Sequence, residues 1–149
     1  MPDLADATCE EVAALHRRMR EAVAGLDQRS LDWVPTDGAN SIAVLVTHTV
    51  GSELDWLHVA CGRAIDRDRD AEFKTHDRGA EDLAALVEGA ERRAGELVRS
   101  AVAGGLEAAR RSRAGREVTA AYCLQHAVAH TAEHVGQIEL TRQLATAPR

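Results

Sequence analysis

Apolar residues recur at three- and four-residue steps in four stretches of the chain, and that period predicts four amphipathic helices. The first, from about Asp6 to Leu26, carries Val12, Leu15, Met19, Val23 and Leu26 at this spacing. The second runs roughly from Ser41 to Ile65 and places Ile42, Leu45, Thr49, Ser52, Trp56 and Val59 on one face. The third, about Ala80 to Val102, repeats Leu83, Val87, Ala90, Ala94, Leu97 and Ala101. The fourth, opened by Thr119 or by Glu117 just before it and continuing to about Leu144, has Leu124, Ala127, Val128, Thr131, Val135 and Ile138 as its stripe. No stretch alternates as a half-buried strand does. The expected fold is therefore all-α, a four-helix bundle with long crossover connections, and residues 1–149 are expected to form one domain.

Between these stretches lie the punctuation signals. Gly25 and Asp27-Gln-Arg-Ser30 end the first helix, and Pro35 with Gly38 marks a connector in which Trp33 is expected to tuck under the bundle end. Asn40 or Ser41 supplies the cap of the second helix. The mixed-charge run Asp66-Arg-Asp-Arg-Asp70 opens a crossover reaching to Gly79, read as solvated loop, with Phe73 its anchor to the core. Gly104-Gly105 stops the third helix, and Leu106 to Arg116 reads as a connector with room for a helical turn.

The fourth helix carries the most distinctive chemistry. His126, His130 and His134 recur every fourth residue and form one ladder with rungs about 6 Å apart. Adjacent rungs can grip one ion. The outer two, roughly 12 Å apart along the axis, cannot share a metal whose nitrogen ligands lie at about 2.0–2.1 Å. His130 and His134 fall along one border of the apolar stripe, whereas His126 turns further out, so the spacing favours the former two as the chelating pair. The same pair at a core border is equally compatible with two hydrogen-bonded residues of a bundle that holds no metal. A third ligand would separate the two readings, and His48, at the border of the second helix's apolar face, is the residue that can supply it. His16, beside Arg17 and Arg18, reads as a solvated surface residue; His58 turns away from the apolar face, and His76 has no partner at helical spacing.

Composition narrows the classes. Aromatic residues make up only 3% of the chain while Ala, Leu, Glu and Arg abound, a mixture that favours helix over sheet. A formal net charge of −6 without a basic block argues against nucleic acid as a partner. With no apolar run of about 20 residues and no basic, apolar start, neither a membrane span nor a signal peptide is expected, and a cytoplasmic location is. Cys9, Cys61 and Cys123 are odd in number and far apart, so a disulfide framework and a cysteine zinc site are both improbable. No phosphate-cradling glycine loop or Gly-x-Ser-x-Gly turn occurs, which removes the nucleotide and serine-hydrolase readings.

Trp33-Val-Pro35, then Ser41-Ile-Ala-Val-Leu-Val-Thr-His48 with Glu53 and Trp56 following, then His130-Thr-Ala-Glu-His134-Val-Gly-Gln137 resemble, in order and spacing across the whole chain, the DinB-like metal-binding bundle family. The resemblance implies that one histidine of the second helix and two of the fourth hold a divalent metal, usually zinc or nickel; by the match these are His48, His130 and His134. It also implies a homodimer, and members that are thiol-dependent S-transferases or isomerases, or metal-dependent hydrolases. Three neutral imidazoles leave a coordination position open, and a divalent cation there lowers the pKa of water or a thiol enough to make a nucleophile near neutral pH. Ser52 and Gln137, each one turn from a candidate ligand, are placed to orient the imidazoles. The leading expectation is thus a metal-dependent enzyme acting on a small molecule, an S-transferase using a low-molecular-weight thiol or a hydrolase. The rival is a metal-binding or protein-interaction bundle without catalysis.

Overall fold

The computed structural model describes residues 1–148. The chain forms, in order, α1 (Leu4–Val23), α2 (Gln28–Asp32), α3 (Ile42–Ala60), α4 (Arg69–Glu72), α5 (Ala80–Ala103), β1 (Ala109–Arg111), β2 (Glu117–Thr119) and α6 (Ala120–Ala145). The long helices α1, α3, α5 and α6 are the four expected ones, and the fold is all-α apart from one small hairpin. Three of them start at a side-chain cap: Asp3 accepts from the Asp6 N–H, Ser41 from Val44 and Thr119 from Tyr122, each satisfying a donor the helix cannot, while α5 begins at Gly79 without one. The second helix ends at Ala60 rather than near Ile65, where Gly62 takes a left-handed φ of 71° and turns the chain away.

Two connectors differ from expectation. The stretch before the last helix is a β-hairpin, β1 antiparallel to β2 with Arg110 opposite Val118. Its strands are three residues each, too short for alternation to show in sequence. Gly115, with φ of 81°, makes the turn, and the Ser112 N–H donates to the Arg116 carbonyl to close it. The crossover from residue 66 to 79 contains α4, capped by Asp68, and Glu72 within it is buried.

α3 packs most closely on α6, and α1 on α5. The core divides in two along the bundle. One cluster gathers Met19, Val23, Ile42, Val46, Val87 and Ile138; the other gathers Val12, Leu57, Ala94, Leu97, Cys123 and Ala127. At the level between them sits a polar layer. His16 of α1, fully buried, has its Nε2 2.7 Å from Glu53 Oε1 of α3, and Thr131 Oγ1 of α6 donates to Glu53 Oε2 at 2.9 Å. His16 is therefore not the solvated residue its arginine neighbours suggest. It falls at helical spacing between Val12 and Met19, inside the stripe, and Glu53 supplies the partner that makes burial tolerable.

Candidate metal centre

His48 lies near the middle of α3, and His130 and His134 lie one turn apart on α6, the helix α3 packs against. The packing brings the three together. One ring nitrogen from each lies within 4.8 Å of the others, a group that could hold a metal ion. The His48 ring centroid is 5.1 Å from that of His134 and 5.7 Å from that of His130, edge to face in both cases.

What surrounds the rings selects their tautomers. Glu72 Oε1 stands 3.1 Å from His48 Nδ1, and Arg67 grips the same carboxylate through two nitrogens at 2.7 and 2.8 Å. With Arg67 committed to Glu72, the network assigns the His48 Nδ1–H as donor to Glu72, which leaves Nε2 as the free lone pair. Gln137 Oε1 does the same for His134, accepting from Nδ1 at 2.8 Å. His130 Nδ1 is buried without a hydrogen-bond partner, a position that costs free energy and that a coordinated cation would satisfy. Burial pushes the His130 imidazole down to about 4, with His134, His48 and His126 adding to the fall. His48 is lowered as well, again chiefly by burial, with Glu72 opposing. Neutral imidazoles with oriented lone pairs are the form a divalent cation requires, so the donor set fits one.

The site opens on a cleft of about 440 Å³. Its wall is aromatic: the His126 ring stacks on Tyr122 at an interplanar angle of 16° and lies 4.4 Å from Trp56. His126 is thus at the rim and outside the three-histidine group. Phe73 packs its ring 4.6 Å from His48, anchoring the crossover as the sequence suggests. Ser52 lines the cleft, but the partner of His48 is Glu72 instead. His58 donates to the Leu54 carbonyl and His76 is exposed beside Asp77, both away from the centre.

Glu72 and Arg67 fall in the crossover read from sequence as solvated loop, and Asp55 of α3 is buried under Arg67 and Arg113. The nearest thing to a signal for them is Gly51, a glycine in mid-helix one turn after His48. A Cβ there would collide with Oε2 and Cδ of Glu72 and stand 3.3 Å from Arg67 Nε. Glycine inside a helix costs roughly 1 kcal/mol relative to alanine, but Gly89 and Gly136 are also mid-helix with nothing within 4 Å of an added Cβ, so only the structure singles out Gly51.

A profile of the DinB superfamily matches residues 11–138. The chain belongs to the DinB superfamily. Among solved structures, the crystal structure of a conserved protein of locus from Enterococcus faecalis superposes on this DinB-superfamily fold with a TM-score of 0.75 at 17% identity, over 97% of this chain and 98% of that one. No curated protein matches the chain significantly. Among the described residues, no helix of this DinB-superfamily chain is long and apolar enough to cross a membrane.

Proposed function

We propose that the protein is a metal-dependent enzyme in which His48, His130 and His134 hold a divalent cation, zinc or nickel, and that it transfers a low-molecular-weight thiol or hydrolyses a small substrate. The observation carrying this reading is the convergence of three imidazoles, two of them with Nδ1 engaged by Glu72 and Gln137, beside an open cleft that His48 and His130 line. When bound, the cation supplies Lewis acidity, which favours a nucleophile from water or a thiol near neutral pH.

The protein's own residues do the rest. Glu72 and Gln137 hold two rings in the tautomer whose Nε2 is free, and Arg67 keeps the Glu72 carboxylate in place. Phe73 packs on the His48 ring and shields it from one side, which strengthens the electrostatic contacts made there. No side chain near the histidines is an evident general base: Tyr122 is over a turn away from His130, and Glu133 is exposed on the other side of α6.

The test is elemental analysis of the purified protein and of four single variants. His48→Ala, His130→Ala and His134→Ala are each expected to lose most of the bound metal, and His126→Ala to keep it. Metal retained in His48→Ala but lost in His126→Ala would move the site to the other side of α6, and no metal in the parent protein would end the reading.

A further inference from the structure

The cleft before the three histidines is positive in a chain whose formal net charge is −6. Four arginines line it: Arg67, Arg69, Arg113 and Arg116. Two are engaged by carboxylates. Arg67 holds Glu72 and reaches Asp55 at 3.4 Å, and Arg113 clasps Asp55 through two nitrogens at 2.9 and 3.1 Å. Asp55 is the sole carboxylate on the lining, and both of its oxygens are taken.

Arg69 and Arg116 are different. Each is exposed and lies over an aromatic ring, Arg69 4.7 Å from the centroid of Phe73 and Arg116 4.4 Å from that of Tyr122. Neither forms an ion pair among the described residues; of their acidic sequence neighbours, Asp68 caps α4, Glu117 pairs with Arg111, and Asp70 does not line the cleft. Stacking uses the face of a guanidinium and leaves its in-plane N–H donors free, while the ring beneath restricts the side chain before any ligand arrives. A lining of one excess sign over low-dielectric walls concentrates ions of the opposite sign. Beside these donors stands an aromatic wall, in which Trp56 is inclined at 65° to Tyr122 and 55° to His126.

We propose that the cleft binds a small organic anion, its carboxylate or phosphate held by Arg69 and Arg116 and its apolar body laid against Trp56. The inference rests on the reading of the cleft as the substrate site and names the substrate class for it. It does not depend on which ion the histidines hold.

The experiment compares phenylacetate, phenyl phosphate and neutral phenylacetamide by calorimetry, on chelator-treated and zinc-loaded protein in parallel. In both preparations at least one acid is expected to bind about tenfold or more tighter than the amide, the strength of a charge-assisted bidentate contact, with the preference shrinking as salt rises. Which acid binds tighter distinguishes carboxylate from phosphate. The preference should fall in R69Q and in R116Q and vanish in the double variant, while zinc content stays that of the parent. Should the double variant fail to fold, the two single variants decide. Equal binding of acids and amide, a preference untouched by these substitutions, or one that exists only with zinc present would overturn the proposal. A parent protein that takes up no zinc would sink the metal reading alone, because the chelated arm still reports on the arginines.

Discussion

Gly51 and Glu72 show how much of the site turns on single atoms. The Glu72 carboxylate reaches His48 Nδ1 only because α3 presents no Cβ at position 51. Two opposing effects follow for Gly51→Ala. Removing a mid-helix glycine favours folding by roughly 1 kcal/mol, whereas pushing the buried Glu72 carboxylate aside loosens its pairing with Arg67 and costs more than that. Displacement of Glu72 also frees the His48 ring from its orienting partner, and loss of such partners weakens metal binding by about 10- to 100-fold. Gly51→Ala is thus expected to destabilise the metal-free protein, the loss at Glu72 exceeding the roughly 1 kcal/mol gained in the helix, and to lower zinc affinity. Competition titration against a chromophoric chelator, paired with denaturant melts, reads both quantities. Glu72→Gln, which keeps an acceptor oxygen but loses the charge, should weaken binding less than Glu72→Ala. Parent-like affinity in Gly51→Ala would show that Glu72 does not orient His48.

Helices meet through the polar layer as well as through apolar cores. His16, Glu53 and Thr131 tie α1, α3 and α6 together at the level where the core divides, and the His16 and Glu53 side chains are wholly without solvent contact. Removing one member of such a buried pair strands the other, and the cost is typically about 3–5 kcal/mol. Glu53→Ala is expected to destabilise by that amount in chemical denaturation, since it leaves both the His16 ring and the Thr131 hydroxyl without their partner. Replacing the pair together, as His16→Leu with Glu53→Met, should recover most of the loss, because two well-packed apolar groups need no partner. A Glu53→Ala loss below about 1 kcal/mol would mean that water or a shifted helix satisfies the layer instead. The hairpin acts at the same scale. Arg110 donates to the Ala60 carbonyl and Arg113 holds Asp55, so β1 and its turn are fastened to α3 and carry Arg113 and Arg116 to the cleft.

For the whole molecule, a cation bound by residues from two helices and steadied by the crossover stabilises only the folded state. Mass action then sets its contribution: a free ion at about a thousand times its dissociation constant adds roughly 4 kcal/mol, which for a chain of this size corresponds to a melting shift of about 10 °C. Chelator treatment is expected to lower the melting temperature by that order, and zinc or nickel to restore it. Scanning calorimetry of the same sample before and after chelation checks this, and superimposable curves would mean that the three histidines carry no ion in the folded protein.

The ladder on the last helix was legible without coordinates because a period of 3.6 residues assigns each position a direction, and direction alone separates His130 and His134 from His126. The four long helices, the Ser41 and Thr119 caps and the place of His48 were legible for the same local reason: periodicity and capping involve residues within a turn of one another. Tertiary structure alone decided the partners. Arg67 and Glu72 stand in a mixed-charge run with no period, and nothing local distinguishes a solvated carboxylate from one folded back onto α3. His16 looked solvated beside Arg17 and Arg18 because burial of a polar side chain depends on whether another helix brings an acceptor, and Glu53 lies 37 positions away. The hairpin leaves no mark in the sequence because its strands are too short to show alternation and hold together by pairing with each other. Direction within a helix is a property of the backbone repeat and is written in sequence order. Pairing across the molecule depends on how close two distant segments come once packed, and only the assembled bundle sets that distance.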